Sequence, residues 1–371
     1  MPRRYASPTS LIAIDFHFLP QTTWPTSAYR PWQRTVAQVD RGSLLTASPS
    51  IASPRGRTLT DFLERYVVVL AVAALIVLFS VARPATFFTV GNLQTILTTQ
   101  SVLLIIGLGL TVVLAAGDLD LSIAGVVSFC GVLFTQLSAP ERLGWQIAAI
   151  VTLIAGVLIG LVNSLFIVRV KANALIVTLA MGTLLDGLSS AVSNSQSLAL
   201  PASPLDAAIS ARFFGVGLPF WFTILLLVIV WYVLQHTPSG RSLYFTGEGR
   251  EAARLVGVRV TRVRVTALVI SALAAAIAGI VLVGQSGAAQ AGLGNPFLLP
   301  AYASVFLGAA TLTPGRFNPV GTVVGALLLA VGTTGLQLLG IASWVTNVFS
   351  GGILIVAVAA AALLGARRIR A

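Results

Sequence analysis

From Tyr66 onward the sequence is a succession of apolar runs separated by short polar breaks. Ten runs read as membrane-crossing helices. They are Tyr66–Val81, Thr98–Ala116, Ile123–Ser138, Ile147–Val168, Ala174–Val192, Gly215–Leu234, Thr266–Gly284, Ala301–Ala310, Val320–Leu338 and Trp344–Leu364. Each has about the length needed to cross ~30 Å of hydrocarbon, except the eighth, which is short. Unpaired backbone groups are costly in lipid, so such runs must be helical. The predicted fold class is therefore all-α, a polytopic membrane bundle of about ten transmembrane helices. Small residues recur inside the runs, as in Gly156 with Gly160 and Gly321 with Gly325, a spacing that allows close helix contact.

The one long polar island is Arg241–Val265. Its centre, Arg250 to Gly257, predicts a short helix. Ala252, Leu255 and Val256 share a face at helical spacing. Glu251 and Arg254 stand three apart, close enough to pair, and Gly257 is a stop signal. A charged helix between two spans has two readings: a solvated connector rich in orienting arginines, or a docking element for a soluble partner.

Composition agrees with the pattern. Only 9% of the 371 residues are charged and 56% are hydrophobic, against roughly 25% charged in a soluble domain. The net charge of +12 does not point to nucleic acid, because the basic residues are spread over short loops and the two tails. With the N-terminus inside, the inner side collects the tail arginines, Arg169, Lys171, the arginines from Arg241 to Arg264, Arg316, and Arg367, Arg368 and Arg370. The outer loops keep Arg83, Arg142 and Arg212. That asymmetry predicts both termini in the cytoplasm. Trp221, Trp231, Tyr232 and Trp344 fall near span ends, where interfacial anchoring explains them.

Residues 1–60 are rich in Pro, Ser, Thr and Arg and read as a disordered cytoplasmic tail, or as sequence ahead of a start further in. Met1 and Met181 are the only methionines, so an internal start needs another codon. Residues 61–366 form the transmembrane domain, with a cytoplasmic loop over 236–265 and a basic cytoplasmic tail over 367–371.

The candidate chemistry is sparse. No G-x-x-x-x-G-K-[ST] pattern occurs, and Lys171, the only lysine, lacks a glycine cradle, so ATP is not bound here in that way. The histidines His17 and His236 stand alone, Cys130 is the single cysteine, and no metal or catalytic site is predicted. Gly117-Asp118-Leu119-Asp120-Leu121-Ser122 joins two apolar runs with two carboxylates. It reads either as a hydrated turn with Asp capping the next helix, or as a polar element lining a pathway. Asp186 lies within the fifth run and faces the bundle interior, beside Arg or water or on a solute path. Asn163, in the fourth, reads first as a helix–helix hydrogen bond. The turn Thr311–Pro319 holds Pro314 and Gly315, which suit a sharp reversal. Arg316 there would snorkel to headgroups or touch a partner.

Taken together, these pieces resemble the permease subunit of a bacterial ABC importer of the ribose/xylose/galactose type. Gly117–Ser122 is similar to that family's Gly-Gly-Ile-Asp-Leu-Ser signature, Gly247–Gly257 (GEGREAARLVG) to its cytoplasmic loop, and Gly308–Gly325 (GAATLTPGRFNPVGTVVG) to its turn before the ninth span. The resemblance runs from about Tyr66 to Leu364. It implies an inner-membrane homodimer carrying a monosaccharide or related polar solute. Separate ATP-binding subunits would dock through Arg250, Glu251, Ala252, Arg254 and Gly257, and an extracytoplasmic solute-binding protein would deliver the solute. The chain would hold no cofactor, the ATP and magnesium lying in the partner. Path candidates are Asp118, Asp120, Ser122, Asn163 and Asp186; turn or gating candidates are Pro314, Gly315 and Arg316. Departures are Asp118 in place of the signature's second Gly, and Asp186 where the family often has a nearby Arg. Ala309, Ala310 and Pro314 also replace residues that are often Gly or Ser. The alternative is an ion-coupled secondary transporter using Asp118, Asp120 and Asp186 as proton or cation sites.

Overall fold

A computed structural model describes residues 59–370. The tail expected over 1–60 falls, but for its last two residues, outside this range. The described chain is a helical bundle. Its elements in order are α1 (Leu59–Ala82), α2 (Val90–Thr99), α3 (Ser101–Ala115), α4 (Ile123–Leu137), α5 (Gly144–Ser164), α6 (Ala174–Val192), α7 (Pro204–Ser210), α8 (Leu218–His236), α9 (Pro238–Glu248), α10 (Arg250–Leu255), α11 (Val260–Ser286), α12 (Leu298–Ala310), α13 (Pro319–Leu338) and α14 (Ser343–Arg370). Among the described residues, seven helices are long and apolar enough to cross a membrane. The pair α2 and α3, bent by 42°, has the length and composition for an eighth when taken as one broken span, and two shorter apolar helices cover Ile123–Leu137 and Asn295–Ala310. α14 runs on through the basic residues Arg367, Arg368 and Arg370.

The core is built from α3, α4, α11, α12 and α13. Every residue of α3 is buried, and 72% of the most apolar window of α11 is buried, against 11–17% for α1, α6, α8 and α14. The outer helices therefore turn apolar side chains such as Leu179, Leu225 and Ile355 outward, the distribution a lipid-facing perimeter needs. Small residues set the close contacts. A Cβ on Gly125 would stand 2.6 Å from the carbonyl oxygen of Gly182 on α6, and one on Gly156 would stand 2.6 Å from the Ala276 Cβ on α11. Gly308 and Gly321 bring α12 and α13 together in the same way.

The bend between α2 and α3 carries neither Pro nor Gly. The Gln285 amide of α11 reaches into the break and donates to the Thr98 carbonyl at 3.0 Å and to the Ser101 hydroxyl at 2.9 Å. A side chain inserted into the helical ladder is a sufficient cause of such a kink. At the same end of the bundle the loops are tied by two small antiparallel pairs. β1 (Leu198–Ala199) pairs with β4 (Ala288–Ala289), and β2 (Arg212–Phe213) pairs with β3 (Val216–Gly217). The segment Gln285–Pro300 holds the end of α11, β4, a single 3-10 turn over Asn295–Phe297 and the start of α12.

Candidate functional site

At the opposite end α9 and α10 pack against α3, α8 and α11. The Thr237 hydroxyl caps α9 by accepting from the Gly240 N–H at 3.3 Å. α10 ends in two hydrogen bonds, Gly257 N–H to the Arg254 carbonyl and Val258 N–H to the Ala253 carbonyl. Gly257 takes the left-handed φ of 84° that this closure requires. The Glu251–Arg254 pair forms at 2.6 Å on the exposed side. Ala253 is buried, whereas Leu255 is 89% exposed and Val256 70%. The predicted apolar face of Ala252, Leu255 and Val256 therefore points away from the chain.

Arg250 points the other way. α3 closes on Gly117, with φ of 76°, through Gly117 N–H to the Leu114 carbonyl and Asp118 N–H to the Val113 carbonyl. This turn packs backbone to backbone on Gly247, where a Cβ would stand 2.2 Å from the Ala115 carbonyl oxygen. The turn delivers Asp118, whose carboxylate is 1% exposed, between two guanidinium groups. Arg264 grips it bidentately, Nε to Oδ2 and Nη2 to Oδ1, each 2.7 Å. Arg250 adds one nitrogen, Nη2, which donates to Oδ1 at 2.9 Å and to the Gly117 carbonyl at 3.0 Å. Asp118 thus caps no helix; it takes the ion pairs of α10 and α11. A cleft of about 640 Å³ opens beside these groups, bounded on its far wall by Lys171 and Asn173.

Two residues further on the chemistry changes. Asp120 is fully buried and accepts only neutral donors: the Ser122 N–H at 3.1 Å, the Ser122 hydroxyl at 2.5 Å and the Ser271 hydroxyl at 2.7 Å. Its own N–H donates to the Tyr302 hydroxyl oxygen at 3.1 Å. Asn163 donates to the Ser122 hydroxyl oxygen at 2.8 Å. The three candidates Asp120, Ser122 and Asn163 therefore form one network closed inside the bundle, joining α4, α5, α11 and α12. The reading of Asn163 as a helix–helix hydrogen bond matches this placement.

Asp186 belongs to neither cluster. It lies on α6, where its Oδ2 accepts from the Asn295 amide at 3.1 Å and its shielded Oδ1 finds no partner. Its neighbour is an amide, not an arginine.

At the turn Thr311–Asn318, Gly315 has a φ of 78° and supplies the reversal, with Pro314 before it. Arg316 is exposed and lies against α9. Its guanidinium carbon lies 3.7 Å from the centroid of the Tyr244 ring on α9, a cation–π contact. The Tyr244 hydroxyl donates to the Phe317 carbonyl at 2.7 Å. Burial pushes the Tyr244 hydroxyl's pKa up, and the adjacent Arg316 charge opposes that shift. The turn is thereby fastened to α9 along a cleft of about 480 Å³.

Sequence reasoning missed four partners: Arg264, Ser271, Tyr302 and Asn295. Arg264 carried a usable signal. A cation one turn inside an apolar helix needs a buried carboxylate, and Asp118, Asp120 and Asp186 were the three candidates. The other three partners are ordinary polar residues among apolar ones, and only packing selects them.

Comparison with known proteins places the chain. The profile of the family described as branched-chain amino acid transport system / permease component matches residues 92–358. The ribose import permease protein of Haemophilus influenzae is 30% identical over 304 residues, covering 81% of this chain and 94% of its own length. The ribose import permease protein of Escherichia coli strain K12 is 30% identical over 300 residues, covering 78% of this chain and 91% of its own. The autoinducer 2 import system permease protein of Photorhabdus laumondii is also 30% identical, over 309 residues, covering 80% and 91%. No solved structure matches. Apolar helices of membrane-crossing length and a family match over most of their extent lead to one conclusion: the chain belongs to the family of transport-system permease components and is a membrane subunit of an ABC importer.

Proposed function

We propose that this chain forms the translocation path of an ATP-driven importer for a monosaccharide or a related small polar solute. It sits in the bacterial cytoplasmic membrane. Separate subunits hydrolyse ATP, with its magnesium, and dock on α10. The chain crosses ten times with both termini inside, counting α2 with α3 as one bent crossing and α4 and α12 as short ones. Two copies pair, and an extracytoplasmic binding protein delivers solute on the side of β1–β4.

The observation that carries the reading is the unpartnered face of α10. Leu255 and Val256 are 89% and 70% exposed on a helix whose other side is locked to the bundle through Ala253 and Arg250. Burying such a face on a soluble partner is favourable by about 25 cal/mol per Å² removed from water. A carrier working alone needs no such face. The relatives named for ribose support a sugar as cargo.

Within the path, we assign solute contact to Asp186. An intramembrane carboxylate costs at least ~2.5 kcal/mol on insertion scales, so such groups line cavities or pair. Asp186 has only a neutral amide beside it. Asp118, Asp120, Ser122 and Asn163 shape the path from behind, and Pro314, Gly315 and Arg316 hold its inner turn.

The test is reconstitution of the chain with its ATP-binding subunit and binding protein in liposomes, over a panel of pentoses, hexoses and polyols. Solute-stimulated ATP hydrolysis that needs all three components is the expected result. Uptake by the chain alone, abolished by an uncoupler, would overturn it.

A further inference from the structure

Asp118 is held by two arginines, and the two are not equivalent. Arg264 binds with two nitrogens on two oxygens, and its side chain is 10% exposed. That arrangement is bidentate and shielded, the strong form of the contact. Arg250 binds with one nitrogen, its side chain is 43% exposed, and it borders the open cleft of about 640 Å³. One arm is fixed within the bundle and the other can let go.

The releasable arm belongs to the short helix that carries the exposed Leu255 and Val256. Its acceptors, the Gly117 carbonyl and the Asp118 carboxylate, start the segment that ends at Ser122. That segment touches α11 through Ser271, α12 through Tyr302 and α5 through Asn163. Among the described residues, Arg250 is therefore the side chain that bonds from α10 into the turn that contacts these helices. The resembling family's signature has Gly where this chain has Asp118, so the tie is not part of that signature.

We propose that Arg250 is a positioning residue that couples displacement of α10 to the Gly117–Ser122 turn. This rests on the importer reading above. When a docked partner moves α10, the Arg250–Asp118 bond is drawn or released. Arg264 keeps the carboxylate charge-compensated throughout, so release leaves no buried bare anion. Because a single nitrogen serves both acceptors, a lysine ammonium can replace it, unlike the forked contact of Arg264.

The experiment measures solute taken up per ATP hydrolysed in the full complex, for wild type, Arg250→Ala and Arg250→Lys. Arg250→Ala is expected to lose about fivefold or more, the lower end of a site-to-site coupling, and Arg250→Lys to stay within about twofold of wild type. Equal yields for Arg250→Ala and wild type would overturn the proposal, as would a lysine variant as poor as the alanine one. A second measurement covers failed assembly: hydrogen exchange of the amides over 115–122 in the isolated chain in detergent. Faster exchange there in Arg250→Ala, restored in Arg250→Lys, supports the tie; unchanged exchange overturns it. If wild-type components do not assemble, the importer reading fails, and the exchange measurement still decides whether Arg250 holds the turn.

Discussion

Asp118 holds two guanidinium groups, while Asp120, two residues on, has only hydroxyl and amide donors around it. The difference sets what each substitution does. Deleting the partner of a buried charge costs about 3–5 kcal/mol when nothing else compensates it, and in Arg264→Ala the single-nitrogen contact of the half-exposed Arg250 is what remains. Arg264→Ala is therefore expected to lower the thermal unfolding midpoint in detergent sharply, and Arg264→Lys less so, since it keeps the charge but loses the fork. A midpoint unchanged in Arg264→Ala would mean that Asp118 is hydrated. Asp186 gives the contrasting case. It has one neutral hydrogen bond and an unpartnered oxygen, so Asp186→Asn removes little that holds the fold. Abundance should stay near wild type while uptake across a solute panel changes. A fall in protein level with uptake per molecule unchanged would make Asp186 structural.

The hairpin between β2 and β3 shows a cost taken on at the scale of one element. Its two central residues, Phe214 and Gly215, have φ of 52° and 78°. Glycine adopts such values freely, but for a bulky side chain a left-handed conformation costs about 1–3 kcal/mol. The turn is held from outside. The Trp221 indole donates to the Phe213 carbonyl at 3.2 Å, the Gln94 amide donates to the Phe214 carbonyl at 3.3 Å, and the Phe213 and Trp221 rings lie 5.6 Å apart. Asparagine tolerates that φ and favours such turns, so Phe214→Asn should raise the unfolding midpoint; a lower midpoint would show that the exposed ring contributes more than the strain removes. Elements of this kind mark the limit of what the sequence alone could reveal. α10 was legible because it is polar inside an apolar chain and carries its own pair and stop, Glu251–Arg254 and Gly257. The break between α2 and α3 was not: a run starting at Thr98 leaves out α2, which is too polar to stand out as a span, and the kink is imposed by Gln285, far along the chain. The apolar run begins at Thr266, whereas α11 begins at Val260. Arg262 and Arg264 look like loop residues until Asp118 is seen facing Arg264.

Taken whole, the described bundle separates a packed centre from two surfaces, one apolar along α1, α6, α8 and α14, the other at α10. On the centre, side-chain volume decides. α4 and α6 meet where Gly125 faces Gly182, and a Cβ there would lie 2.6 Å from a backbone oxygen that cannot swing away. Gly125→Val is accordingly expected to abolish folded protein, measured as monodisperse material in detergent, and a well-behaved variant would show the contact to be loose. On α10 the logic inverts. Leu255 is 89% exposed, so Leu255→Asp should leave the isolated chain's unfolding midpoint where it was, because surface substitutions away from special contacts usually change stability by less than about 0.5 kcal/mol. A leucine buried at a partner interface is worth roughly 1.5–3 kcal/mol of apolar transfer, and a carboxylate in its place also brings a desolvation penalty. Co-purification with the ATP-binding subunit should then fall about tenfold or more, each 1.4 kcal/mol being a factor of ten. Stability and association would move independently only if this face is a docking surface. A variant that destabilises the isolated chain would instead place Leu255 against its own bundle, and one that co-purifies like wild type would move the docking site elsewhere on the inner end.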